Sequence, residues 1–173
     1  MPGPVFLRGE EVTLHAYEDA DADYLQGLIN HPDVWPSLSS IEPISESEER
    51  EWVENVGEDD GVHLLICADG EPVGNVGLNR VNETWGLAEL GYMIDPDAWG
   101  NGYATDAGRR LVRYGFEDRR LHKIKANAFG TNRASQRVLE KIGFEREGVF
   151  EEHAYVRGEY VDLHRYGLLA EDF

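Results

Sequence analysis

Two glycines, Gly100 and Gly102, sit in the stretch DPDAWGNGYATDAGRR (residues 95–110), just past a strand-like run and directly before a helix-like one. Glycines there let backbone N–H groups close on a ligand, and the start of a helix favours an anion, so the turn suits a pyrophosphate. Two familiar phosphate patterns do not fit. A dinucleotide-binding G-x-G-x-x-G would carry Gly or Ala at 105, where Thr105 stands, and no G-x-x-x-x-G-K-[ST] is present. Other reactive side chains are sparse. The single cysteine, Cys67, lies in the apolar run VHLLICADG and reads as a core thiol in a buried strand rather than a nucleophile. His15, His31, His63, His122 and His164 are not spaced as ligands, so no metal is expected, and His153 reads as a structural strand histidine.

The elements that position the turn follow from periodicity. VFLRGEEVTLHAY (5–17) reads as a hairpin around a Gly-containing turn. A short acidic helix over 19–30 places Tyr24, Leu25, Leu28 and Ile29 inward, and a proline-punctuated loop follows. Ser45 opens a second helix with a capping-box partner at Glu48, and Trp52, Val53 and Val56 form its apolar side. Strands are expected at 62–69 and 72–81, joined by the turn DGEP, and at 85–95. Helical spacing over about 102–116 brings Ala104, Ala107, Gly108, Leu111, Val112 and Gly115 to one face. A strand at 122–129, a helix at 132–142 with Ala134, Val138, Leu139 and Ile142 inward, and strands near 144–156 and 160–169 complete the chain. Strands and helices in this order predict an α/β layer arrangement with a mixed sheet, in a single domain over 1–173.

Charge is divided unevenly. The net charge is −18 over 173 residues, yet residues 1–72 hold 18 acidic residues against two arginines, while the remainder is nearly balanced. Nucleic acid is excluded as a partner, since binding it requires a basic surface. Only three lysines stand beside 13 arginines, and an acidic, lysine-poor surface of this halophile-like kind suggests a high-salt cytoplasm. No stretch approaches the ~20 apolar residues of a membrane span, and MPGPVFLRGEEV lacks the features of a signal peptide. One cysteine rules out a disulfide framework, and the expected location is cytoplasmic.

The string Trp99-Gly100-Asn101-Gly102-Tyr103-Ala104-Thr105 resembles the acetyl-coenzyme A loop of the GNAT N-acetyltransferases, Q/R-x-x-G-x-G/A, at Gly102 and Ala104. Trp99 replaces the Q/R position, as in the ribosomal-protein N-terminal acetyltransferase branch (RimJ/RimL-like). AELGYMID (88–95), NRASQRVLEKIGFEREG (132–148) and the ending RGEYVDLHRYGLLAED are also similar to that branch, so the resemblance covers roughly residues 62–172. It implies the GNAT acyl-CoA N-acyltransferase fold, α/β (α+β): a mixed, seven-stranded, splayed sheet flanked by about four helices. The sheet would open between the strands at 85–95 and 122–129. Acetyl-CoA would lie there as cosubstrate, with its pantetheine arm along backbone at Met93 and Ile94 and held by Asn132. Its pyrophosphate would sit on Trp99, Gly100, Asn101, Gly102, Tyr103 and Ala104.

Acetyl transfer to an amine requires that the amine lose a proton, that the thioester carbonyl be polarised and that the leaving thiolate be protonated. Glu89 is the expected base. Strand alternation sets it beside Trp85, Leu87, Gly91 and Met93, an apolar group that would raise its pKa; the alternative is a rim carboxylate or one paired with arginine. Ser135 is the expected acid, one turn into a helix opened by Thr131 or Asn132; the alternative is a serine that only bonds backbone. Some ribosomal-type relatives use a carboxylate on the strand after GF; Ala154 takes that position, and Glu152 could substitute. The favoured acceptor is a protein N-terminal α-amine. A small amine (polyamine, aminoglycoside or amino-acid derivative) is the alternative, and a non-catalytic CoA-binding sensor a third reading. Acids of the first two helices, from Asp19, Asp21 and Asp23 to Glu46, Glu48, Glu49 and Glu51, either solvate the surface or attract a cationic acceptor. The chain is expected to act as a monomer or homodimer.

Overall fold

A computed structural model of the chain describes residues 2–173. Eight strands and four helices follow the expected order. Strands β1 (Val5–Arg8) and β2 (Thr13–His15) form the hairpin, and a 3-10 turn leads into α1 (Ala22–Ile29) and then α2 (Glu46–Asn55). Strands β3 (Val62–Ala68), β4 (Glu71–Asn82) and β5 (Leu87–Ile94) precede α3 (Tyr103–Glu117). Then come β6 (Lys123–Phe129), α4 (Arg133–Ile142), β7 (Glu145–Val156) and β8 (Glu159–Leu169). All eight strands join one sheet in the order β1-β2-β3-β4-β5-β6-β8-β7. The count exceeds the expected seven because the hairpin, counted as one element in the expected order, contributes two strands.

Every neighbouring pair is antiparallel except β5–β6, which is parallel and short. Only Leu87, Ala88 and Glu89 pair with β6, at Lys123, Ile124 and Lys125. Beyond Glu89, β5 stays on β4 as far as Ile94, and β6 stays on β8 as far as Phe129. Each half-sheet keeps its own partner and its own twist, so the two diverge. The expected opening is therefore present, and Glu89 sits at its vertex.

Helices cover both faces. On one, Leu64, Ile66, Val76, Leu78, Ala88 and Leu90 pack with Ala107, Leu111 and Val112 of α3 and Leu139 and Ile142 of α4. On the other, Leu65 and Cys67 pack with Ala22, Leu25 and Val53 of α1 and α2. Successive residues of β3 thus feed opposite layers, which explains why VHLLICA reads as a continuous apolar run. Four details differ from the sequence reading. Ile29 is only half-buried and Ala22 takes the inward position; Trp52 is exposed; Ala134 is exposed and Gln136 buried in its place. Trp85 lies in the turn before β5 and is 72% exposed, so it shares no strand face with Glu89.

Candidate active site

The glycine turn after β5 is built by its own side chains. Asp95 Oδ1 accepts the Asp97 N–H at 3.0 Å, starting a 3-10 turn over Pro96–Ala98. Trp99 Nε1 donates to the Ile94 carbonyl at 2.9 Å, and Asn101 Nδ2 donates to the Ala98 carbonyl at 3.0 Å. Gly100 and Gly102 have φ of 81° and 79°, a left-handed backbone that L side chains adopt only under strain, and a Cβ at either would meet nothing within 4 Å. Glycine is thus required by the turn's conformation, and the space above it is free for a ligand. The first intrahelical bond of α3 runs from Asp106 N to the Gly102 carbonyl at 3.0 Å. The N–H groups of Tyr103, Ala104 and Thr105 therefore point out of the helix end without an internal acceptor, where the dipole favours an anion. Trp99 and Asn101 build the loop, and the Ile94 carbonyl expected to pair with pantetheine is already engaged by Trp99. Past Glu89, the edge of β5 around Met93 has no strand partner.

Glu89 stands in polar surroundings, which corrects the expectation of an apolar set. Lys125 Nζ lies 3.5 Å and Arg80 Nη1 3.6 Å from its Oε2, and Asn127 Nδ2 donates to Oε1 at 3.4 Å. Asn127 Oδ1 in turn accepts from Arg165 Nε at 2.9 Å. The alternative of a carboxylate paired with a cation is the arrangement found. Arg80 reaches it from a bulge in β4, where its own φ is 48°. The side chain is 18% exposed; Oε2 is itself shut off from solvent and faces the two cations without a hydrogen bond among the described residues. Glu152, the substitute candidate, is exposed on edge strand β7 at a second bulge, and nothing brings it to the opening.

Ser135 lies on the opposite face. Asn132 caps α4, its Oδ1 accepting the Ser135 N–H at 3.1 Å, so this oxygen is spent on the helix and only its amide NH2 remains for a ligand. Buried Gln136 ties the same turn to the end of β6, donating to the carbonyls of Phe129 and Gly130 at 3.0 and 3.1 Å. The Ser135 hydroxyl is 2.7 Å from that of Tyr92, a residue the sequence reading missed. Alternation places Tyr92 with Ala88 and Leu90, facing α3 and α4, and burial pushes its hydroxyl up to about 12 while the Ser135 bond pulls it down. Tyr92 therefore holds its proton at neutral pH. The opening has a carboxylate on one face and a hydroxyl pair on the other.

The acetyltransferase (GNAT) domain family matches residues 11–145 of the chain. The chain belongs to the GNAT family. This GNAT is 30% identical over 172 residues to YdaF of Bacillus subtilis, provisionally named a ribosomal N-acetyltransferase, with 95% of this chain and 94% of YdaF covered. It is 27% identical to the spermidine N(1)-acetyltransferase of Vibrio cholerae over 94% of this chain and 95% of that one. The crystal structure of the V. cholerae spermidine N-acetyltransferase with CoA and spermine superposes with a TM-score of 0.86 at 26% identity, covering 94% of this chain and 97% of that one. A GNAT acetyltransferase from Bacillus anthracis superposes with a TM-score of 0.84 at 25% identity, covering 96% and 99%. The protein is an acetyl-CoA-dependent N-acetyltransferase with acetyl-CoA as cosubstrate.

Proposed function

We propose that this GNAT acetylates a primary amine by direct attack in a ternary complex, and that the preferred acceptor is a protein N-terminal α-amine. The observation that carries the mechanism is the split of the sheet at Glu89, with the Glu89 carboxylate on one face and the Ser135–Tyr92 hydroxyl pair on the other. In this reading Glu89 takes a proton from the ammonium, directly or through a water. The free amine bonds to the acetyl carbon, the carbon–sulfur bond breaks, and Ser135 gives its proton to the departing thiolate. Tyr92, hydrogen-bonded to Ser135, can resupply it. The N-terminal acceptor is supported by the similarity to YdaF.

A second reading, a small polyamine acceptor, is favoured by the similarity to a spermidine acetyltransferase and by the acidic first 72 residues. A screen of acetyl-CoA turnover over N-terminal peptides, polyamines and aminoglycosides, repeated in molar salt, separates the two. Binding of acetyl-CoA without turnover of any amine would leave only the CoA-sensor reading.

A further inference from the structure

The sheet face that carries Glu89 contains a row almost without side chains. Gly91 of β5 stands opposite Gly77 of β4, and Gly77 opposite His63 of β3, so the row runs from the opening across the sheet. Asn79, opposite Glu89, and Asn75, opposite Met93, form its two banks. A Cβ at Gly91 would meet only the Asn79 amide, at 3.2 Å, and at Gly77 it would strike the His63 ring at 2.8 Å. The floor is thus open at Gly91 and closed by His63. Two strand spacings of roughly 4.8 Å put that end about 10 Å from Gly91.

The far end is aromatic and acidic. His63 meets Trp52 edge-on with ring centroids 5.2 Å apart, and Trp52 meets Tyr17 at 5.7 Å. Trp52, His63, Asn55, Glu58 and Asp59 line a cleft of about 160 Å³. Trp52 keeps 39% of its surface exposed, and Asp59 is fixed by the Gly61 N–H at 2.9 Å. Burial holds His63 below the ordinary histidine range, so a neutral ring faces the cleft. Glu49 lies one turn before Trp52 and Val53 on the same side of α2 and is 6% exposed. Its carboxyl has no hydrogen bond or ion pair among the described residues, burial alone pushes its pKa up, and its charge acts on the Tyr17 hydroxyl. Glu49 does not line the cleft but stands one helical turn from Trp52, so a cation seated against Trp52 would be drawn by its unpaired charge while gaining the ring's negative face.

We propose that this end of the trough, about 10 Å across the sheet from Gly91, binds a second cationic group of the acceptor, an ammonium or guanidinium. The proposal rests on the amine-acetylation reading above. The same chemistry is offered by a polyamine's distal ammonium and by a basic side chain near a peptide's N-terminus. Steady-state kinetics at saturating acetyl-CoA distinguish these sources by pairing butylamine with spermidine, and an Ala-Gln-Gly peptide amide with its Ala-Arg-Gly counterpart. The cationic member of at least one pair is expected to show a KM at least tenfold lower, and the responding pair names the source. That ratio should collapse toward one in Trp52→Ala and in the near-isosteric Glu49→Gln, with folding checked by circular dichroism. Equal KM values within both pairs in the wild-type protein would overturn the second-cation site and leave acetyl transfer standing. A preference that survives both substitutions overturns this placement of the site. Calorimetry of spermidine and of the Ala-Arg-Gly amide against the CoA-bound protein supplies a readout without turnover. Binding lost in Trp52→Ala, with no amine acetylated, supports the site while the function proposed above fails; no binding of either probe, with none acetylated, ends both.

Discussion

Replacing Asp106 should destabilise the protein more than any surface acid, and the magnitude follows from three hydrogen bonds. Its buried carboxylate, in the first turns of α3, accepts the N–H groups of Glu10, Glu11 and Val12 at 3.0, 2.7 and 3.0 Å. Nearly a hundred residues of chain separate the partners, so this one side chain staples the β1–β2 turn to α3, the helix that follows the glycine turn. In Asp106→Ala the Val12 N–H, in a residue 3% exposed, loses its acceptor without gaining water, at about 1–3 kcal/mol. Residues Glu10 and Glu11 are exposed, so their N–H groups recover water and should lose about 0.5–1 kcal/mol each. The total is about 3 kcal/mol, or a fall in Tm of roughly 6–12 °C for a chain of this size. Asp106→Asn keeps one acceptor and should lose less. Gly9 gives an independent route to the same contact, because a Cβ there would stand 2.5 Å from Asp106 Oδ2. Gly9→Ala should therefore destabilise too, and Gly9→Ala with Asp106→Ala should fall short of the sum of the single changes. Calorimetric unfolding with and without acetyl-CoA measures all of this. A fall of under about 2 °C for Asp106→Ala would refute the reasoning, since it would mean that the turn's N–H groups are satisfied without the carboxylate.

Gly102→Val should raise the acetyl-CoA Kd at least tenfold by calorimetry while far-ultraviolet circular dichroism is unchanged, because φ of 79° at the helix start excludes a β-branched side chain. Glu89→Gln should lower turnover about a hundredfold at neutral pH and less at pH 9–10, where more amine arrives already deprotonated; Ser135→Ala should lower it at every pH. Tyr92 ionises near 12 in the fold against an ordinary 10, so its contribution to stability is present below pH 10 and lost as pH rises toward 12; Tyr92→Phe should remove that alkaline step in a stability-against-pH titration. Cys67 is fully buried and burial pushes its thiol up to about 11, so a thiol reagent at pH 8 should label it only after unfolding, and native labelling would contradict its place in the core.

Local chemistry was legible where a residue's partner is close in the chain. The Ser45–Glu48 capping box forms as the spacing predicts, with both reciprocal bonds present, and Asn132 caps α4. The turn at Gly100 and Gly102 was legible from its place between strand and helix, and the structure adds that both glycines are left-handed. Long-range partners were not legible. Lys125 faces Glu89 only because β6 returns in parallel register, and Arg80 reaches the same carboxylate from a bulge whose positive φ has no local sequence signal. Tyr92 could be assigned a face by alternation with Ala88 and Leu90, but its partner Ser135 lies 43 residues on. Nothing near Asp106 in the sequence points to the hairpin N–H groups it accepts from Glu10, Glu11 and Val12. The split of the sheet entered through the family resemblance, since no pattern in either strand announces where pairing stops.

The charge asymmetry becomes intelligible once the acids are sorted by what they touch. Asp23 and Glu46 both pair with Arg50, at 2.8 and 3.0 Å, and remain 70% and 69% exposed, so they contribute hydration and little else. Glu48 is spent on the Ser45 cap, which holds its carboxyl below the ordinary range. Asp21 is spent on the turn before α1, accepting the Glu18 N–H at 2.8 Å. Glu49 alone among these is buried without a partner, and it lies on the helix layer opposite the one that carries α3. At the salt concentrations that an acidic surface tolerates, the Debye length shrinks to about 3 Å, and exposed carboxylates cannot steer an acceptor from a distance. A buried one beside an exposed indole is screened far less. On the proposed reading, hydration and acceptor selection fall to different residues of one acidic segment, and the expected cosubstrate turn lies in the nearly neutral half of the chain, where a polyanion meets neither set.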